Sequence, residues 1–347
     1  MNFTENLLYW YGKNKRNLPW RTTKNPYYIW LSEVILQQTR VEQGLPYYQA
    51  FIQNFPTLKD LAFASEDDVL KLWQGLGYYS RARNLHHTAK TIYFELNDQF
   101  PTHYNEIIKL KGIGPYTAAA IASFAFKEPV GVVDGNVFRV LARYFGIYDD
   151  IATAKTRTIF QKIVNELIST EHPDLFNHAI MDLGATICLP NNNPKCLECP
   201  LQNGCFAFLH NAASQLPIKI KKITVKDRFF NFIILKNNHQ IAIEQRTEKD
   251  IWQKLYQFPL LETANANEET IYEQLTTLYP DHVVKKITPN DIKHKLSHQQ
   301  LHINFYEIEV DEILPNHHFV AITDLELYAY PIVIWNFMKD YFKLEKN

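Results

Sequence analysis

The chain has 347 residues, long enough for two domains that each bury a sizeable core. Hydrophobic residues make up 46% and charged residues 21%, the balance of an ordinary globular protein, and no apolar run approaches the ~18 residues of a membrane span. The net charge of −1 gives no overall attraction to a polyanion, and Met1 to Trp20 lack the basic-then-apolar layout of a secretory leader, so a cytoplasmic monomer with no membrane partner is expected.

The average charge hides local clusters. Lys13, Lys15, Arg16, Arg21 and Lys24 run without an intervening acid, and Lys219, Lys221, Lys222, Lys226 and Arg228 are broken only by Asp227. Either cluster reads equally well as solvated surface or as an anion contact. From Asn6 to about Leu209, apolar residues recur at helical spacing. The pattern runs through Leu31–Val34–Ile35–Gln38, Val69–Leu72–Trp73–Leu76 and Val137–Val140–Leu141–Tyr144, with Asp60, Thr102 and Thr153 as helix starts. After Ala213 the texture changes. Residues 214–226 read as a basic linker around Pro217. Beyond it, Phe229–Leu235, a turn at Asn237–Asn238, Gln240–Glu244 and an alternating Leu301–Val310 read as strands, while Glu269–Leu278 and Ile334–Phe342 read as helices. The fold class expected is therefore an all-α domain over residues 1–213 followed by an α+β domain over residues 227–347.

Three segments carry chemistry in the helical part. In Leu110-Lys111-Gly112-Ile113-Gly114-Pro115-Tyr116-Thr117, Gly112 and Gly114 let a phosphate approach main-chain N–H groups at the start of an alanine-rich helix. By itself this reads first as an ordinary helix connection made with glycines. In Val132-Val133-Asp134-Gly135-Asn136-Val137, an acid before a helix is by itself an N-cap. All four cysteines, Cys188, Cys196, Cys199 and Cys205, fall within eighteen residues, spaced Cys-x7-Cys-x2-Cys-x5-Cys. Clustered thiols in a reducing compartment point to a metal site, and four thiolates suit Zn²⁺ or a [4Fe–4S] cluster. With only one short pair, the spacing departs from the double-knuckle pattern of most zinc sites.

Together these segments resemble the helix-hairpin-helix glycosylase superfamily, and the cysteines its endonuclease III and MutY branch. The resemblance implies a [4Fe–4S] cofactor on the four cysteines. That branch has six residues in the first gap, and Asn191-Asn192-Asn193 is a natural place for the extra one. It also implies that Asp134 faces the sugar of a flipped nucleotide, with Asn136 beside it in the catalytic set. The segment Leu31-Ser32-Glu33-Val34-Ile35-Leu36-Gln37-Gln38-Thr39 is similar to the MutY family. There the glutamate matching Glu33 is the general acid, and the glutamines matching Gln37 and Gln38 meet the opposite strand. A purine leaves best with N7 protonated, which calls for a carboxyl of raised pKa in an enclosed pocket. Tyr116 stands where a bifunctional lyase carries its Schiff-base lysine, so monofunctional hydrolysis is expected, with Tyr116 helping to hold Asp134 and the developing cation. In Gly75-Leu76-Gly77-Tyr78-Tyr79-Ser80 the family's intercalating tyrosine is Tyr78, whereas Tyr79 reads as core. Trp20 and Arg21 match a pocket-wall segment, and His178 stands where the family commonly has Gln or Glu, either as an adenine contact or as a core histidine.

In the second domain, Asp250-Ile251-Trp252-Gln253-Lys254-Leu255 is similar to the MutT-like (Nudix) domain of the same family, yet Glu262 to Leu278 carries no Arg-Glu-x2-Glu-Glu run. Diphosphate hydrolysis is therefore not expected. Lys293-His294-Lys295-Leu296-Ser297-His298 resembles the family's Phe-Ser-His loop, with Leu296 in place of Phe. This implies a reader of 8-oxoguanine in which Ser297 bonds the base and His298 supports the loop or a phosphate. The expected partner is double-stranded DNA with adenine opposite 8-oxoguanine or guanine. The alternatives are an endonuclease III-like pyrimidine glycosylase and lyase, or a non-catalytic zinc-containing DNA-damage binder.

Overall fold

The computed structural model describes residues 2–190, 193–220 and 224–344. The chain divides into two compact units, one formed by Met1–Phe63 and Asn84–Lys221, the other by Ala64–Arg83 and Lys222–Asn347.

The helical part runs through α1 (Phe3–Asn14), α2 (Pro26–Ile35), α3 (Val41–Asn54), α4 (Leu58–Phe63), α5 (Glu66–Leu72), α6 (Ser80–Lys90), α7 (Tyr104–Ile107), α8 (Pro115–Phe126), α9 (Gly135–Phe145), α10 (Ala154–Leu167), α11 (Pro173–Thr186) and α12 (Phe206–Leu209). α8 is small and apolar on every side, with Thr117 through Phe124 all buried, which is how a helix reads when neighbours surround it. α2 packs on α8, and α11 packs on α1, α8 and α9. Phe3, Leu7, Val140, Leu141, Phe160, Phe176 and Ile180 fill the core between α1, α9, α10 and α11. The approach of α11 to the first turn of α9 needs Gly184, because a Cβ there would lie 2.6 Å from the Asn136 Cβ.

Thr153 caps α10 as its residue type predicts, accepting from the Thr156 N–H. Asp60 instead lies inside α4, where its carboxylate accepts from the Thr57 N–H at 2.9 Å. Thr102 caps nothing, since α7 starts after His103. Gln38 and Leu76 likewise fall beyond the ends of α2 and α5. Pro217 is preceded by a buried Leu216 that packs on Ala207 and Ala212, and Arg143 Nε donates to the Leu216 carbonyl at 3.0 Å. Lys221, Lys222, Asn191 and Asn192 lie outside the described residues.

The second unit is built on a mixed sheet of β1 (Lys226–Asn237), β2 (Gln240–Gln245), β3 (Tyr256–Gln257), β4 (Leu260–Thr263), β5 (Val284–Lys286), β6 (Ile292–Lys295), β7 (Gln299–Glu309) and β8 (His318–Ala321), with α13 (Glu268–Leu278) and α14 (Ile332–Phe342). The order is β3-β2-β1-β7-β5, with β4 on β1, β6 on β7 and β8 on β2. β1 and β7 are central and parallel, with Phe229 opposite His302 and Phe232 opposite Phe305. Ile271 and Leu275 of α13 cover one face, and Phe337 of α14 stacks on Phe305 from the other at 3.6 Å. This double cover corrects the alternation expected of Leu301–Val310: Ile303, Asn304, Phe305 and Tyr306 are all buried. Within the unit, Arg83 donates to the Gln253 carbonyl at 2.7 Å and the Tyr330 N–H to Gln74 Oε1 at 3.3 Å.

Candidate active site

Glu33 is only 6% exposed, on a helix buried from Ile29 to Ile35. Its Oε2 accepts a hydrogen bond from the Tyr116 hydroxyl, at the first turn of α8, at 2.7 Å, so the phenol holds Glu33 rather than Asp134, whose donors are Asn136 and Val137. Burial pushes the carboxyl up to about 7; the Tyr116 hydrogen bond opposes this, the nearby Asp134 charge reinforces it and Arg21 opposes it. The phenol of Tyr116 is held well above its ordinary value, chiefly by burial and by the two carboxyls, so it remains a donor.

Asp134 is indeed an N-cap. Its Oδ1 accepts from the Asn136 N–H at 2.9 Å and the Val137 N–H at 2.8 Å, and its Oδ2 from Asn136 Nδ2 at 2.8 Å. Burial raises its pKa, and these three donors counter the rise. The two environments differ: Glu33 has a single donor in an apolar shell, whereas Asp134 accepts from three. Asn136 is in turn held by Arg139 Nη2 at 2.9 Å, and the same guanidinium reaches the carbonyls of Gly184 and Cys188, each at 2.6 Å. A continuous chain of hydrogen bonds thus joins Asp134 to the first cysteine.

Behind this pair lies a charged cluster that motif reading passed over. Asp182 is fully buried, and Arg21 grips it with two bonds of 2.6 and 2.8 Å while Arg16 Nε adds a third at 2.6 Å. These arginines hold the Asp182 carboxyl below its ordinary value against the opposing effect of burial. Lys24 Nζ bonds Asp174 at 2.6 Å. The N-terminal basic cluster is therefore not a free patch, since three of its five members are spent on internal carboxylates. The signal was available in sequence: an acid inside the apolar run Met181-Asp182-Leu183 has to find a cation.

The remaining site residues divide by unit. Trp20 is buried and packs edge-on against Tyr48 at 5.2 Å. Gln37 Nε2 bonds Thr117 Oγ1 at 3.0 Å, whereas Gln38 is exposed with φ +57°. His178 stacks on Phe124 at 3.9 Å, makes no hydrogen bond to a described residue, and is kept neutral by burial, down to about 3. Gly112 and Gly114 sit exposed in the α7–α8 turn. Gly112 has φ +78°, and a Cβ there would come within 2.5 Å of Asn84.

In the other unit, Tyr78 is 46% exposed with φ +49°, and its hydroxyl is hydrogen-bonded to that of Ser297. Both line a cleft of ≈ 410 Å³ together with Arg83, Trp252, Leu296 and His298. Tyr79 is buried, as expected of a core residue.

All four cysteines are free and line one cavity with Val140, Leu183, Ile187 and Leu201. Arg143 is buried beside them and donates to Cys188 Sγ at 3.3 Å. Burial pushes the Cys199 thiol up to about 12 and raises Cys196 and Cys205. An all-sulfur donor set lining one cavity is of the chemical kind that an iron–sulfur group uses. Among the described residues, no three His, Cys, Asp or Glu side chains are gathered as a site for a metal ion. Nor is any helix of the described residues long and apolar enough to cross a membrane.

Residues 31–166 match the HhH-GPD superfamily of base excision DNA repair proteins, and residues 231–340 match the NUDIX domain. The adenine DNA glycosylase of Buchnera aphidicola subsp. Baizongia pistaciae (strain Bp) is 41% identical over 315 residues, 90% of this chain and 87% of that protein. The chain belongs to the adenine DNA glycosylase family. The Homo sapiens adenine DNA glycosylase is 42% identical over 214 residues, 59% of this chain and 39% of the human protein. Among solved structures, a thermostable thymine-DNA glycosylase superposes with a TM-score of 0.55 at 26% identity, covering 60% of this chain and 95% of that one. An endonuclease III–DNA complex shares the fold with a TM-score of 0.52 at 21% identity, over 60% of this chain and 94% of that one. As an adenine DNA glycosylase the protein acts on DNA in base excision repair and hydrolyses an N-glycosidic bond. Family membership decides against both alternatives left open by the sequence, the pyrimidine glycosylase and the non-catalytic binder.

Proposed function

We propose that the protein, acting as a monomer, excises adenine paired with 8-oxoguanine or guanine by monofunctional hydrolysis and leaves an abasic site. The observation that carries this reading is the Tyr116–Glu33 hydrogen bond of 2.7 Å on a buried carboxyl whose pKa is raised to about 7. A carboxyl poised there is still protonated in an enclosed pocket and can hand its proton to purine N7. The carboxylate left behind is stabilised by the phenol. As the glycosidic bond breaks, Asp134 faces the developing oxocarbenium ion as an anion, oriented by Asn136 and the α9 N–H groups. Water then completes hydrolysis.

Tyr116 occupies the place a lyase gives to its amine nucleophile. Lys111 is exposed before the first glycine of the turn, and its carbonyl is taken by Thr88 Oγ1. The α7–α8 turn with Gly112 and Gly114, together with Gln37 and Gln38, meets the DNA backbone and opposite strand. Trp20, Arg21 and His178 wall the adenine pocket, with neutral His178 able to offer one donor or one acceptor. Tyr78 is the wedge, and Ser297 with His298 reads the opposite base. Cys188, Cys196, Cys199 and Cys205 hold a [4Fe–4S] cluster, which supplies cross-linking of the loop rather than electrons for the reaction.

Borohydride added during turnover tests the monofunctional step. No covalent protein–DNA adduct is expected, and a trapped adduct overturns it.

A further inference from the structure

Two charged clamps grip opposite faces of the sheet at the foot of the β6–β7 hairpin that carries Leu296, Ser297 and His298. On one face Arg228 bonds Asp250 at 2.8 and 3.0 Å, Glu262 at two contacts of 2.7 Å, and Gln299 Oε1 at 3.3 Å. On the other, His302 stands between two carboxylates, with Nδ1 2.7 Å from Asp291 Oδ2 and Nε2 2.9 Å from Asp227 Oδ1. Its ring lies on Phe229 at 4.7 Å.

The register explains the convergence. His302 is opposite Phe229 of β1 and Lys293 of β6, so Asp227 and Asp291, each two residues earlier, share its face. An imidazole with a carboxylate at each nitrogen must donate from both, which only the imidazolium does. The two aspartates, Asp227 first, hold its pKa above the ordinary value, against slight desolvation. The register puts on this face Asp227 of β1, Asp291 just before β6, Lys293 and Lys295 of β6, and Lys286 of β5, itself paired with Glu268 of α13; β7 adds Gln300, Asn304 and Tyr306 there. β6 is four residues long, the turn is closed by Leu296 N–H to the Gln299 carbonyl at 2.8 Å, and its tip is tied to β1 by Lys226 N–H to the His298 carbonyl at 3.0 Å.

We propose that the Asp227–His302–Asp291 bridge is a positioning device for opposite-base discrimination, which sets the Ser297 turn when His302 is protonated and releases it as His302 loses its proton. The inference rests on the reading of that turn as the opposite-base reader. Its raised pKa means that the bridge is complete below the ordinary histidine value and is lost as pH rises through the folded one.

The test is single-turnover excision of adenine opposite 8-oxoguanine and opposite guanine, from about pH 6 to pH 8.5. The ratio of the two rates cancels the titration of Glu33, which serves both substrates. The wild-type ratio is expected to fall about fivefold across this range, the size of a partly exposed ion pair. His302→Phe keeps the ring on Phe229 but donates to neither aspartate, so its ratio is low and flat with pH. Asp227→Asn combined with Asp291→Asn lets a neutral imidazole bond both neighbours, so the ratio is restored and flat. A wild-type ratio that does not change with pH, or a wild-type ratio in His302→Phe, overturns the proposal. Should His302→Phe fail to fold, the wild-type profile and the double variant still decide. Ser297→Ala separates the two failures: if it leaves the ratio intact, the reading of the turn is wrong; if it lowers the ratio while the His302 arms do not, only the bridge is wrong.

Discussion

Removal of one hydroxyl, Tyr116→Phe, makes two opposed changes that can be read in a single profile. In the wild type, Glu33 titrates at about 7, so excision is flat below neutrality and falls about tenfold per pH unit above it. The phenol donates 2.7 Å to the Glu33 carboxylate, and a hydrogen bond to a charged acceptor contributes ~1.5–3 kcal/mol. That bond matters only once Glu33 has given up its proton. Its loss slows the acidic plateau by about ten- to a hundredfold. The same loss makes the carboxylate less favourable in the resting enzyme, which moves the descending limb alkaline by about one pH unit or more. The deficit of the variant is therefore largest at acid pH and narrows above neutrality. Single-turnover rates on adenine opposite 8-oxoguanine over the full pH range measure both effects. Parallel profiles with an unmoved limb refute the assignment of Tyr116 to the Glu33 proton.

Three further outcomes follow from the same geometry. Glu33→Gln abolishes excision yet stabilises the fold at alkaline pH: a folded pKa of about 7 against an ordinary 4.5 means that wild-type stability drops by about 3 kcal/mol as pH rises between the two, and the amide removes that slope in thermal unfolding at pH 5 against pH 8. Asp182→Asn leaves two arginines without their carboxylate and costs ~3–5 kcal/mol in urea unfolding; because the Asp182 pKa is depressed, its contribution is present above the ordinary carboxylate range and fades as pH falls through the folded value, so wild type and variant converge only in acid. Metal analysis of the purified protein returns iron with acid-labile sulfide, and Cys199→Ser loses both; stoichiometric zinc contradicts the cluster.

Much of the fold could be read from residue patterns, and the failures have physical causes. Helix α9 was visible because one face is apolar at helical spacing and Asp134 caps it. The ends of α2 and α5 were not, because Gln38 and Leu76 continue the apolar rhythm after the backbone has already turned. β7 misled in the opposite sense: alternation is the mark of a half-buried strand, and a central strand covered by α13 and α14 has no solvent face to show. At the site, Glu33 and Tyr116 were legible because their motifs are dense. Their contact was not, since it joins residues 83 positions apart. Asp182, Arg139 and His302 carry no motif at all. Each is defined by partners distant in sequence, and only the packing of α11 on α1 and on α9, or the register of β1 and β6 on β7, brings those partners together.

The central claim is tested most directly by treating duplexes that carry adenine opposite 8-oxoguanine, guanine, cytosine or thymine, with and without hot alkali. The account predicts cleavage after alkali only, at adenines opposite 8-oxoguanine and guanine, and loss of that cleavage in Glu33→Gln. Strand breaks that appear without alkali, equal cleavage opposite all four bases, or full activity in Glu33→Gln contradicts it.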